Sequence, residues 1–63
     1  MRNFAFRVED DRAAEPAVRK ATLRDELAAR TLAERILRET YHHRSIEVWE
    51  ATQQVCVLKA TET

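Results

Sequence analysis

The stretch "AVRKATLRDELAARTLAERILRET", Ala17 to Thr40, decides how the chain is read. It is rich in Ala, Leu, Arg and Glu and contains neither Gly nor Pro, a composition that favours helix from end to end. Its second half carries the stronger pattern. Ala29, Leu32, Ala33 and Ile36 share one face of a helical wheel, with Ala28 and Leu37 at its margins. Arg24, Arg30, Glu34, Arg35 and Arg38 fall largely outside that face, as a solvated surface requires. Glu26–Arg30, Arg30–Glu34 and Glu34–Arg38 are spaced for pairing across one helical turn. "TLRD" at Thr22–Asp25 resembles a capping box, with Thr22 as cap and Asp25 reaching back. Pro16 suits a first helical turn, where its missing N–H costs nothing. The stretch therefore predicts one long helix over residues 17–40, strongest over 22–39. Residues 17–21 also fit an extra turn, a separate short helix or a loop. About 18 helical residues from Thr22 make a rod near 27 Å, which matches a seven-residue strand of about 23 Å.

On either side of this stretch the period changes to two. "NFAFRVE", residues 3–9, puts Phe4, Phe6 and Val8 on one side and Ala5, Arg7 and Glu9 on the other, the pattern of a half-buried strand. "EDDRAAEP" breaks it and reads as a loop. After the helix, "RSIEVWE" sets Ile46 and Val48 against Ser45, Glu47 and Trp49. "ATQQ" interrupts, and "VCVLKA" sets Val55, Val57 and Lys59 against Cys56, Leu58 and Ala60. Two such runs predict a hairpin over residues 45–60. No Asn-Gly or Asp-Gly pair is present, so the expected connection is a longer one built on a type I turn. "TET", residues 61–63, reads as a terminal tail.

The predicted fold is a single α+β domain over residues 1–63. It is a β-α-β-β chain, with a three-stranded, mostly antiparallel sheet and one long helix packed on one face. The β-α-β step is expected to be right-handed, and the first strand is expected to lie antiparallel to the last. Phe4, Phe6, Val8, Ile46 and Val48 form the core beneath the helix. "VCVL" is apolar on both sides, which calls for cover on both faces. With one helix available, the second cover is another chain. Homodimerisation through a sheet face or edge, burying Trp49 and Cys56 or Val57, follows from that reasoning. Leu23 and Leu27 fall off the helical stripe and suit the sheet's edge or a second chain. The interface candidates are thus Trp49, Cys56, Leu58, Leu23 and Leu27.

Composition narrows the function. Sixty-three residues, with alanine supplying much of the apolar share, allow only a modest core that gains from association. Eleven basic and eleven acidic residues cancel, which argues against binding dominated by nucleic-acid phosphates. The absence of glycine removes dinucleotide and P-loop phosphate cradles. Cys56 is the only cysteine, so no disulfide forms within the chain. A lone cysteine without a signal-like leader is expected in a reducing, cytoplasmic setting. No apolar run approaches the roughly 20 residues of a membrane span.

Three constellations invite chemistry. His42 and His43 are adjacent, with Glu39 four positions before His43 and Glu47 four after it. They are the weak metal candidates; a structural zinc site wants four ligands, often closely spaced cysteines. Histidines at a helix end also fit plain punctuation, since a cation is favoured there. Cys56 beside a histidine would make a nucleophile–base pair, but its place between valines suits a small buried hydrophobe. Arg19, Lys20, Arg24, Arg35, Arg38 and Arg44, with Trp49 or Tyr41 for stacking, would make a nucleic-acid patch.

"FRVEDD", "LRDELAARTLAERIL" and "SIEVWEATQQVCVL" together resemble a family of short bacterial proteins of unknown function. That family opens on an F-x-V-x-D-like strand, here Phe6, Val8 and Asp10. It continues with an Asp-led helix rich in Ala-Ala-Arg, here Asp25 and Ala28–Arg30, and closes with an I-x-V-type hairpin, here Ile46 and Val48. The chain lacks the family's glycines in the first loop and its Asp-Gly hairpin turn. The plan is also distantly similar to HicB-type antitoxin domains, in which an alanine-rich helix packs on a small sheet and the protein oligomerises. The resemblance implies a fold and self-association, and no catalytic residues. The sequence thus points to a non-enzymatic protein, without cofactor, that binds itself or another protein; the alternative is an antitoxin-like or regulatory nucleic-acid binder.

Overall fold

The computed structural model describes residues 1–60, so the tail expected at residues 61–63 lies outside it. Five elements follow in order: β1 (Arg2–Asp10), β2 (Ala17–Leu23), α1 (Glu26–Leu37), β3 (His43–Glu50) and β4 (Gln53–Lys59). The strands form one sheet in the order β2-β1-β3-β4, with every neighbouring pair antiparallel.

This corrects the sequence reading at its centre. The sheet has four strands rather than three, and the helix is 12 residues rather than one long rod over 17–40. Residues 17–23 are a strand, paired with β1 from Arg2↔Leu23 to Val8↔Ala17. The physical reason is non-local. Ala17–Leu23 has helix-favouring residues, but β1 carries three large apolar residues and would otherwise leave an edge bare beside them. Pairing β2 along β1 satisfies that edge, and tertiary pairing outweighs a propensity of tenths of a kcal/mol per residue. Pro16 therefore precedes a strand instead of opening a helix.

The cap moves accordingly. Asp25, not Thr22, is the N-cap of α1. Its backbone is extended and its Oδ1 accepts the Ala28 N–H at 2.8 Å. Thr22 sits in β2, and its hydroxyl donates to Asn3 Oδ1 across the strand pair. Of the expected helical pairs, Arg30–Glu34 approaches to 3.7 Å. Nor does the first strand pair with the last. β1 lies between β2 and β3, so β1 to β3 is an antiparallel step, and the crossover over α1 joins β2 to β3 instead.

The core forms where the two periods meet. Phe4, Phe6 and Val8 from β1, and Ile46 and Val48 from β3, bury against Ala29, Ala33 and Ile36 of α1. The alanines let α1 approach the sheet closely. Because α1 lies mainly over β3 and β4, the helix-side surface of β2 is left largely uncovered: Ala17 and Arg19 are exposed.

Two bulges reset the strand phase. Between β3 and β4 the register passes from Val48↔Cys56 to Trp49↔Gln54, so Val55 is the extra residue. It joins Cys56 and Leu58 against the core, while Val57 faces the other way and is 43% exposed. The hairpin connection is a tight two-residue turn, Ala51–Thr52, between Glu50 and Gln53. That corrects the expectation of a longer loop. Ala51 adopts φ 53°, a left-handed position that glycine fills more easily. Between β1 and β3 the register passes from Glu9↔Ser45 to Asp10↔His43, and Arg44 is the extra residue. Simple alternation from Ile46 would turn His43 outward; this bulge turns it in.

Candidate functional site

The bulge at Arg44 brings the end of β1 against the start of β3 and assembles a cluster of Asp10, Asp11, Arg12, His42 and His43. His43 is 7% exposed. Its Nδ1 lies 2.7 Å from the Ile36 carbonyl oxygen in the last turn of α1. A carbonyl only accepts, so Nδ1 carries the proton and donates. Nε2 then faces Asp10 Oδ2 at 3.7 Å. Asp10 is already held by Arg12, whose Nε and Nη2 donate to Oδ1 and Oδ2 at 3.0 and 2.7 Å and whose backbone N–H donates to Oδ1 at 2.7 Å. These bonds, the side-chain ones foremost, keep the Asp10 carboxyl well below the usual carboxylate range.

His42 points the other way, to solvent. Its Nδ1 lies 2.8 Å from Asp11 Oδ1, and the Asp11 N–H donates to the His42 carbonyl at 2.9 Å. Tyr41 stacks on its ring, with centroids 4.1 Å apart. Donor atoms of Asp10, Asp11 and His42 all lie within 4.8 Å of one another. Two carboxylates and an imidazole suit a borderline divalent cation, but such an ion would have to displace the Arg12 guanidinium from Asp10. As it stands, the cluster is a closed set of hydrogen bonds that staples loop 11–16 to the α1–β3 junction.

The carboxylates that the sequence placed near the histidines are elsewhere. Glu39 binds Arg19 through two bonds of 2.9 and 3.2 Å. Glu47 accepts from Trp49 Nε1 and Gln54 Nε2, each at 3.1 Å, on the far face of the sheet. Asp10, Asp11 and Arg12 were missed because 31 residues separate Asp11 from His42, and "EDDR" carries only a loop signal. Cys56 pairs level with Val48, five residues along β3 from His43, a separation of about 15 Å. It is half-buried under α1, and burial pushes its thiol pKa up. No cysteine–histidine pair is formed among the described residues.

The five interface candidates divide among three surfaces. Cys56 and Leu58 pack beneath α1 at the β4 side. Trp49 lies half-buried on the face opposite the helix, between Ala5 and Gln54. Leu23 and Leu27 come together: with Ala28 and Leu32 they line a hollow of about 590 Å³ along the β2 side of α1, rimmed by Arg24, Asp25, Thr31 and Arg35. Leu27 is 74% exposed and Val18, on β2, is 59% exposed. No described strand pairs with the outer side of β2. That edge is seven residues long without a bulge, whereas β4, the other edge, is interrupted at Val55.

The cations named from sequence do not form one patch. Arg19 and Lys20 take opposite faces of β2, and Arg24 and Arg35 rim the hollow beside Leu27. Arg38 and Arg44 flank a second hollow with Leu37, Tyr41 and Leu58.

No known protein family, no curated protein and no solved structure matches the chain. Among the described residues, no helix is long and apolar enough to cross a membrane.

Proposed function

We propose that this protein is a non-enzymatic association module whose first partner is a second copy of itself. The observation that carries the reading is the bare, regular outer edge of β2, contiguous with the leucine-lined hollow. An unpaired strand edge presents a row of N–H and C=O groups ready to accept another strand. The core is small, and a domain of this size gains stability from association. Sedimentation velocity over a wide concentration range tests the proposal. Concentration-dependent growth of the sedimentation coefficient supports it; a monomer at high micromolar concentration overturns it.

A second reading rests on the face opposite the helix. There Trp49 shares its face with Arg7 and Lys20 and, four residues along β3, with Lys59 opposite Ser45; Glu9 and Glu47 are the opposing charges, and Glu47 accepts the Trp49 Nε1–H. An aromatic on a sheet flanked by cations is the ingredient of single-strand nucleic-acid binding, and the resemblance to antitoxin domains sits with it. Titration of single-stranded oligonucleotides at low salt, followed by Trp49 fluorescence, separates the two readings. Salt-sensitive quenching favours nucleic acid; an unchanged signal removes it.

A further inference from the structure

We infer that two copies join through β2, antiparallel, with Ala21 opposite Ala21 of the second copy, to make one eight-stranded sheet. The inference rests on the self-association proposed above and names its geometry. It follows from symmetry first. A two-fold axis that sets a strand antiparallel to its own copy must run perpendicular to the sheet. One residue then faces itself, and both copies of α1 lie on the same side of the joined sheet.

Charge selects which residue faces itself. Centring on Lys20 sets two lysines directly opposite, and sets Arg19 diagonal to Arg19. Like charges directly opposite are destabilising. Centring on Thr22 sets Lys20 opposite Arg24. Centring on Ala21 avoids like charges directly opposite: Lys20 faces Thr22 and Arg19 faces Leu23, while Lys20 is left only diagonal to Lys20 and Arg24 of the other copy. Ala21 also shares its face with Arg19 and Leu23, the side that α1 leaves open. In that register Arg19 of each copy stands diagonal to Asp25 of the other, at the mouth of the hollow that Asp25 rims. Arg19, which holds Glu39 within its own chain, thus gains a second carboxylate nearby at each end of the junction. Leu23 of each copy moves beside the other's Ala21, and the apolar floor becomes continuous across the axis.

The size of the contact sets its strength. Pairing residues 19–23 gives a ladder about 17 Å long. With the flanking side chains it falls short of the roughly 800 Å² per partner of a standard interface. The dimer is therefore a reversible one, exchanging with monomer as concentration falls. Val18 and Lys20 stay on the opposite face, so joining leaves the Trp49 surface open.

Cross-linking tests the register. Ala21→Cys in a Cys56→Ser background places two sulfurs across the axis. Directly opposed residues in an antiparallel pair have Cα atoms about 4.5 or 5.5 Å apart, both within disulfide reach. Mild oxidation is expected to give a covalent dimer at least tenfold faster than with Lys20→Cys in the same background. Faster linkage through Lys20→Cys would overturn the register. Sedimenting dimers in which neither position links would overturn the β2 junction while leaving self-association standing. A strictly monomeric protein removes both. Amide exchange on the unaltered chain gives an independent readout: residues 19–23 should gain protection as concentration rises, and protection gained in β4 instead would sink the assignment.

Discussion

His43 donates from Nδ1 to the carbonyl of Ile36, seven residues earlier, and so closes the end of α1 with the first residue of β3. The last carbonyls of a helix lack their usual partner; this one is buried and takes two donors, His43 Nδ1 and the Glu39 N–H at 3.1 Å. Replacing His43 with Ala removes the first donor and opens a void. Losing that bond and creating a cavity together predict a loss of about 2–3 kcal/mol, with the Ile36 carbonyl still held by the Glu39 N–H. His43→Asn, whose amide can donate from nearly the same place, should recover part of it. Urea unfolding of the three proteins measures the difference. Equal midpoints for Ala and wild type would show that the bond contributes nothing net.

Ala51 holds φ 53° in the Glu50–Gln53 turn. A side chain in the left-handed region costs roughly 1 kcal/mol, and glycine relieves it while loosening the unfolded chain. Ala51→Gly is expected to raise stability by about 0.5 kcal/mol, seen as a higher Tm. Ala51→Val, β-branched at the same position, should lower it.

Acid should weaken the fold through named pairs. Glu50 accepts from Arg2 Nε and Nη2 at 2.6 and 2.5 Å, Glu39 from Arg19, and Asp10 from Arg12. Each of these carboxyls is held below its ordinary value, in every case foremost by its side-chain bond to arginine. A depressed folded pKa means that stability is present above the unfolded value, near pH 4, and is lost as pH falls toward the folded one. Thermal unfolding between pH 6 and pH 2 should show Tm declining below about pH 4. Glu50→Gln should flatten part of that decline. A Tm indifferent to pH across the range would show that the pairs are too solvated to matter.

Cys56 should react slowly. Its thiol is half-buried under α1 and its pKa is pushed up by burial, so the thiolate fraction is small. A disulfide-exchange reagent near pH 8 should label the native protein at least tenfold more slowly than the urea-unfolded chain. Matching rates would mean that the β4 side of the core opens freely.

The outer strands of the reading and the core were legible because their signal is local. Phe4, Phe6, Val8, Ile46 and Val48 alternate in the sequence and all five are buried. β2 was not legible. Its residues lack bulk, and Ala, Arg and Lys favour helix in isolation; what makes them a strand is β1 alongside. The polar cluster was hidden for a related reason. His43 is adjacent to His42 and looks equivalent to it, yet one is core and the other solvent-facing. The cause is a single extra residue in the β3 register, Arg44, and a bulge leaves no mark in a hydrophobic pattern.

β3 meets β1 with its irregularity near its first residue and meets β4 with its irregularity near its last. A strand with uniform partners can slide by two residues and keep its apolar side inward. This one cannot. Any slide would leave Arg44 or Val55 without its gap and would set a charged side chain or a misplaced valine in the ladder. The two interruptions act as notches at opposite ends of a key, so that the central strand fits its neighbours in one alignment only, without a glycine or a disulfide to hold it there.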